Sequence, residues 1–268
     1  MASSAETTSA SGRHIALLID ADNISAARLP LILAELAKYG TANVRRAYGD
    51  WTAPTLKGWT ARLHEYAIRP IQQFNYSKGK NATDIALVID ALELLYTQKL
   101  AAFCIASSDA DFTPLVMHLR AAGQDVYGFG DRKTPEPFVN ACTTFLYLDA
   151  QKDEASDEVP PAAVPKTRPE QPDKAPDKPA RSLAKNAKLV TILRGGLDAA
   201  IGEDGWALVS AAGSAAKRLG SIDPRNYGVK TFTQLYEATD QFEIARGANG
   251  QPYVADRRNK DRTAKPAA

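Results

Sequence analysis

Ile15-Ala-Leu-Leu-Ile-Asp20 is a continuously apolar run that ends in a carboxylate, and it decides the fold. Such a run predicts a central strand that is covered on both faces, as strands of parallel sheets are. A second run, Phe103-Cys-Ile-Ala106, has the same character and is followed by Ser107-Ser-Asp-Ala-Asp111. Because open α/β sheets bind ligands beyond the carboxyl ends of their strands, the acids after these two runs are candidate site residues.

Residues 13–149 alternate strand-like and helix-like segments. This order predicts an α/β domain with a mainly parallel sheet and helices on both faces. Pro70 lies in one strand segment and favours an edge or an irregular position for it, because proline donates no hydrogen bond to a ladder. The predicted strands are 15–19, 44–48, 68–74, 101–106, 125–129 and 144–148, and the predicted helices are 29–39, 55–66, 84–95, 112–122 and 137–141.

Four acids are expected to gather at one edge of this sheet, namely Asp20, Asp84, Asp109 and Asp111. Carboxylates that converge repel one another, and a divalent cation relieves that repulsion. Oxygen ligands without a neighbouring histidine suit a hard cation. The sequence therefore predicts metal-assisted phosphodiester chemistry, in which Asp20, Asp84 and Asp109 bind the metal and Asp111 completes the catalytic set.

Each of these acids also has a purely structural alternative. Asp20 can be the solvated exit of a strand, and Asp84 can favour the dipole of its own helix. One of the two acids after the second run can cap the helix that follows, whereas both cannot. Asp22 is expected to point away from Asp20, and Asp90 is expected to be buried and hydrogen-bonded rather than a ligand.

Several polar residues beside the acids are candidates for binding phosphate. Asn23, Ser107 and Ser108 directly follow the two apolar runs, although Asn23 could instead cap a helix. Lys78 and Lys80 flank Gly79 just before the helix that Asp84 opens. We expect these two lysines to steer the substrate strand, with an exposed charged loop as the alternative.

Composition limits the class of protein further. The formal net charge of +2 does not by itself indicate any class of binding partner. Cys104 and Cys142 each lie in an apolar run, which predicts buried thiols in a reducing compartment, without disulfides or a zinc site. No apolar stretch approaches the ~20 residues of a membrane span, and the N-terminus lacks the pattern of a signal peptide. We therefore expect a cytoplasmic protein that contacts no membrane.

The remainder of the chain predicts a linker and a second domain. Residues 1–12 are small and polar, which predicts a disordered tail. Seven of the sixteen prolines fall within 150–186, which predicts an extended linker. Residues 187–256 predict three helices followed by a hairpin, the order of a small α+β winged helix, and 257–268 form a basic tail. Thr231 is the expected N-cap of the third helix. Trp206 and Phe232 are expected in the core of this second domain.

The first domain resembles the NYN domain. Leu17-Leu-Ile-Asp-Ala-Asp-Asn23, Lys80-Asn-Ala-Thr-Asp84 and Ile105-Ala-Ser-Ser-Asp-Ala-Asp111 carry this resemblance, which spans nearly all of 13–149. It implies a PIN-like nuclease fold and, as in many members, metal-dependent ribonuclease activity with Mg²⁺ or Mn²⁺. The acidic site of the family corresponds to Asp20, Asp84 and Asp109, with Asp111 and Asn23 as supporting positions. PIN-like domains commonly pair, which implies a homodimer.

The second domain resembles the LOTUS (OST-HTH) winged helix. Gly205-Trp-Ala-Leu-Val209, Tyr227-Gly-Val-Lys-Thr-Phe-Thr-Gln-Leu235 and Phe242-Glu-Ile244 carry that resemblance. It implies binding to RNA or to a protein partner. Together the two resemblances imply an endoribonuclease that is tethered to an RNA-binding module.

Two other functions remain open at the level of sequence. Asp20-Ala-Asp22 superficially resembles the aspartyl pair of haloacid-dehalogenase phosphatases, although Asn23 and Ile24 do not fit the residues expected to follow. The chain could also be a non-catalytic adaptor that binds RNA or a protein through its winged helix. Metal-dependent cleavage of RNA would distinguish the nuclease from both.

Overall fold

The computed structural model describes residues 12–74, 81–149, 183–184, 186–248, 250–264 and 266. The predictions for the N-terminal tail up to residue 11, for Lys78 and Lys80, and for nearly all of the linker fall outside these residues. Contacts between residues group 14–149 in one compact unit and most residues after 186 in a second.

The first unit contains a six-stranded parallel sheet, as the sequence predicts. The strand order is β3-β2-β1-β4-β5-β6, so β1 and β4 lie side by side at the centre. Pro70 lies in β3, and this strand is an edge strand, as its proline requires. The strands are β1 (His14–Asp20), β2 (Thr41–Gly49), β3 (Arg69–Gln72), β4 (Ala102–Ala106), β5 (Asp125–Gly130) and β6 (Thr144–Tyr147).

Helices cover both faces of this sheet. They are α1 (Leu29–Leu36), α2 (Trp59–Glu65), α3 (Ala82–Thr97), α4 (Thr113–Ala121) and α5 (Glu136–Ala141). Side chains of α1 and α2 pack in one hydrophobic core with Leu17 of β1, whereas α3, α4 and α5 pack in the other with Leu18. Because neighbouring residues of a strand face opposite sides, a continuously apolar β1 supplies both cores.

The first helix ends earlier than predicted. The sequence predicts a helix that stops at Gly40, but α1 ends at Leu36 and the chain turns through 37–39. Gly40 does not have a positive φ; a Cβ at this position would instead collide with the backbone oxygen of Arg13. The glycine therefore allows the turn to approach the start of β1 closely.

The second unit contains the three predicted helices and the predicted hairpin, and a short strand between the first two helices, which was not predicted, extends the hairpin to a three-stranded antiparallel sheet. Its helices are α6 (Ala187–Asp198), α7 (Val209–Leu219) and α8 (Phe232–Ala238), and its strands are β7 (Ala207–Leu208), β8 (Phe242–Arg246) and β9 (Pro252–Asp256). β9 pairs with both β7 and β8. Thr231 caps α8 by accepting a hydrogen bond from the amide of Gln234 at 3.2 Å, as predicted.

Burial confirms several further predictions. Trp206 is buried in the second unit, as predicted. Phe232 is only half-buried, so it lies at the margin of the core, where its ring is against Gly213. Cys104 and Cys142 are buried free thiols. Of the helices in the described parts of the chain, none has the length and hydrophobicity needed to cross a bilayer.

Candidate active site

The candidate site lies where the order of the strands reverses. From β1 the chain proceeds outward through β2 and β3, and it then returns to β4 on the other side of β1. Ile19 pairs with Ala106, so Asp20 at the end of β1 lies beside Ser107, which follows β4. In open α/β sheets this reversal leaves a crevice beyond the carboxyl ends of the strands, where ligands bind.

Asp20 is fixed at the floor of this crevice and is only 1% exposed. Its Oδ2 accepts hydrogen bonds from Ser107 Oγ and Asn23 Nδ2, each at 2.7 Å. Its Oδ1 accepts weaker bonds from the amides of Asp22 and Asn23, at 3.2 and 3.3 Å. Burial raises the pKa of Asp20 above its ordinary value, although the bonds from Ser107 and Asn23 oppose that shift.

Of the two acids in the loop after β4, Asp109 is the one that caps the following helical turn. Asp109 caps the short helical turn Ala110–Phe112, because its Oδ1 accepts a hydrogen bond from the amide of Asp111 at 2.8 Å. The amide of Asp109 donates to Ser107 Oγ at 3.0 Å. Asp111 lies in the first turn, and its Oδ2 accepts a bond from Asn81 Nδ2 at 3.2 Å. Ser107 thus connects the carboxylate of Asp20 to the backbone of Asp109.

Asp84 faces the other acids from the first turn of α3. Burial is the main cause that raises the pKa of Asp84 to about 6, and the negative charges of the surrounding aspartates raise it further. Charges act on one another in this way only when they are close or poorly screened. The aspartates whose charges act on Asp84 are Asp20, Asp109, Asp111 and Asp22.

Asp22 is the acid that the sequence prediction set aside. The hydroxyl group of Thr83, the residue before Asp84, acts to lower the pKa of Asp22, but other effects outweigh it. Partial burial and the charge of Asp20 raise the pKa of Asp22. Strand alternation does not support the expectation that Asp22 points away from Asp20, because it places residues two apart on the same face and because β1 already ends at Asp20. The chain leaves β1 in a tight turn, in which the amide of Ile24 donates to the carbonyl of Asp20 at 3.0 Å.

The remaining candidates have different surroundings. Ser108 Oγ accepts a hydrogen bond from the amide of Asp131 at 2.9 Å. Asp90 binds Arg46 and Tyr48, which confirms the prediction that it is hydrogen-bonded and buried in part. In the part of the chain that the structure describes, no three histidine, cysteine or acidic side chains are already arranged as a metal site. The acids are therefore neighbours across a crevice and would have to draw together around a cation.

These features define an α/β protein with an acidic crevice at the switch point of a parallel sheet. The family model of the NYN domain matches residues 14–149, and the chain belongs to that family, which has the PIN-like nuclease fold. The model of the OST-HTH/LOTUS domain matches residues 175–254, and such domains suggest RNA binding.

Comparisons with other proteins add little. No curated protein matches the chain. Among solved structures, a crystal structure of a protein of unknown function from Vibrio parahaemolyticus is similar. The two are 16% identical with a TM-score of 0.43, and the match covers 50% of this chain and 92% of the other.

Proposed function

We propose that the chain is a metal-dependent endoribonuclease that cleaves phosphodiester bonds of RNA. The observation that carries this proposal is the position of Asp84, whose carboxylate lies within the field of four other aspartates in the crevice. Membership of a nuclease family supports the same conclusion.

The donor atoms of the crevice suit Mg²⁺ or Mn²⁺. All of them are carboxylate oxygens, which these hard cations prefer. The repulsion that raises the pKa of Asp84 would be relieved by a cation. Asp20, Asp84 and Asp109 would hold it, and Asp111 would complete the catalytic set. When bound, the cation would stabilise charge on the scissile phosphate and make water a better nucleophile.

The residues around the acids hold these carboxylates in position. Ser107 and Asn23 fix the orientation of Asp20 by two short hydrogen bonds. Asp109 uses its Oδ1 to cap the helical turn, and its Oδ2 takes no part in that hydrogen bond. Asn23 and Ser108 lie beside the acids and would also contact phosphate, and Lys78 and Lys80 would steer the strand. Ser107, which the sequence also predicts as a phosphate contact, is fully buried, and its hydroxyl group is engaged by Asp20 and Asp109. These hydrogen bonds orient the individual carboxylates, which would still have to approach one another to share a cation.

The second unit would bind the substrate outside the crevice. Its family membership supports RNA as the ligand, and a protein partner is the alternative. The proline-rich stretch 150–186 would then raise the concentration of RNA near the acids. A homodimer, cytoplasmic localisation and an absence of membrane contact complete the proposal.

Cleavage of labelled single-stranded RNA by the full chain tests this function. We expect cleavage with Mn²⁺ or Mg²⁺ and none with a chelator, and Asp109→Asn should cleave at least about tenfold more slowly. Asp125→Asn is the matched control. Asp125 is the first residue of β5, so it lies at the amino ends of the strands, away from the acids, and pairs there with Arg13.

Each other outcome identifies a rival. Equal cleavage by Asp109→Asn and the unchanged chain would refute the assigned site. RNA binding without cleavage under any metal condition would favour the adaptor. An acyl-phosphate trapped on Asp20 would favour the phosphatase.

A further inference from the structure

A groove of about 650 Å³ adjoins the acidic crevice. One wall is the turn that follows β1, and the other is the segment that leads into α2. Its size falls within the range of ligand-binding pockets. The residues that the argument uses are Asp22, Asn23, Ser25, Thr55, Gly58 and Arg62, and we call this feature the lateral groove.

The lateral groove is continuous with the acids. Asp22 and Asn23 line it, while Asn23 also binds the carboxylate of Asp20 and the charge of Asp22 acts on Asp84. A chain whose phosphate lies over the acids therefore has a path into this groove. Trp59 and Leu56 also line it but are buried, so they offer apolar surface without an exposed ring. Bases would consequently not stack here, and a segment held through its phosphates would be bound without regard to its sequence.

Arg62 carries the only positive charge among the described residues that line the groove. Its side chain is 43% exposed and its Nη1 binds Oε2 of Glu65 at 2.8 Å. An exposed ion pair of this kind contributes little to stability. The guanidinium can therefore exchange the carboxylate for a phosphate, for which its paired donors are suited.

We propose that the lateral groove binds the single-stranded RNA segment next to the scissile phosphate, and that Arg62 binds a phosphate of that segment. Ser25 adds a hydroxyl group on the wall formed by the turn after β1, and Thr55 adds one on the opposite wall. Glu65 competes with RNA for Arg62 and so weakens binding in the unchanged chain. The inference rests on the proposed ribonuclease function, and it names the part of the substrate that the enzyme holds.

Kinetics of the full chain on single-stranded oligouridylate test the role of Arg62. Arg62→Ala should raise KM about three- to tenfold with little change in kcat, because one charge-assisted contact is lost. The dependence of log KM on log salt concentration should become shallower by about 0.7, the value for one phosphate of a single strand. Glu65→Gln should lower KM. If Arg62 acted only by holding α2 in place, both variants would change KM in the same direction, which would overturn the proposal.

Alkylation of an introduced thiol tests the groove separately from cleavage. Both native cysteines are buried, so Thr55→Cys provides an accessible thiol in the groove, and Thr97→Cys at the end of α3 provides the control. With Asp109→Asn in both proteins, oligouridylate should slow alkylation at position 55 and leave position 97 unchanged. Equal alkylation rates at position 55 with and without RNA would overturn the proposal that the groove binds RNA. Protection without any cleavage by the unchanged chain would instead refute only the nuclease function.

Discussion

Replacing Asp20 by asparagine is expected to lower the rate of RNA cleavage about 100- to 1,000-fold while the protein stays folded. Stabilisation of transition-state charge by a cation is worth several kcal/mol, and each ~1.4 kcal/mol corresponds to a factor of ten. Asp20 is the most buried of the acids and its position is fixed by Ser107 and Asn23. Another carboxylate therefore cannot move into its place.

The stability of the same variant separates a chemical effect from unfolding. Burial disfavours the charge of Asp20, so an uncharged amide of the same shape removes a desolvation cost. Each oxygen of Asp20 accepts two hydrogen bonds, however, and the amide replaces one oxygen with an NH2 group that cannot accept them. We expect the free energy of unfolding to fall by about 1–2 kcal/mol, which leaves the protein folded. Circular dichroism and thermal unfolding check this, with Asp125→Asn as the matched control. Cleavage within twofold of the unchanged chain would contradict the assignment of Asp20.

Asp90→Ala is expected to give the largest loss of stability among the polar substitutions considered. Asp90 lies on α3 and accepts hydrogen bonds from Arg46 and Tyr48 of β2. Burial acts to lower the pKa of Arg46, but the interactions with Asp90 and Tyr48 together outweigh this and raise that pKa above its ordinary value. Burial and the bond to Asp90 both raise the pKa of Tyr48. Removing the carboxylate leaves a cation and a buried hydroxyl without this acceptor.

The size of that loss follows from partial burial. Breaking a fully buried ion pair costs about 3–5 kcal/mol, but Arg46 and Asp90 keep side-chain exposures of 19% and 14%. We therefore expect about 2–3 kcal/mol, which lowers the melting temperature of the first unit by about 5–10 °C in calorimetry. Tyr48→Phe removes one hydrogen bond and should cost about 1 kcal/mol. A larger effect for Tyr48→Phe than for Asp90→Ala would show that the carboxylate is not the centre of the cluster.

Local rules predicted much of the fold because they act within single segments. The apolar run of β1 requires cover on both faces, Pro70 requires an edge, and Thr231 has the chemistry of an N-cap. Asp90 was predicted to be hydrogen-bonded because it is charged within an otherwise apolar helix. These predictions concern burial and backbone hydrogen bonding, which depend largely on the type of a residue and its position within one segment.

The details of the site depend on contacts between distant segments. Nothing in the sequence indicates that Ser107 donates to Asp20, since 87 residues separate them and only the pairing of β1 with β4 brings them together. Asp22 was set aside because the turn after β1 cannot be derived from alternation. Asn23 was predicted as a phosphate contact or a cap, and its bond to Asp20 could have been predicted too, because an asparagine three residues after an acid can bind it when the chain turns.

Binding of Mn²⁺ by isothermal titration calorimetry tests most directly whether the acids of the crevice share one cation. The full chain should bind Mn²⁺, and Asp84→Asn should reduce the affinity at least about tenfold, because Asp84 faces the other carboxylates across the crevice. Asp125→Asn should bind as the unchanged chain does. Equal affinities for all three proteins, or no binding by any of them, would contradict the account.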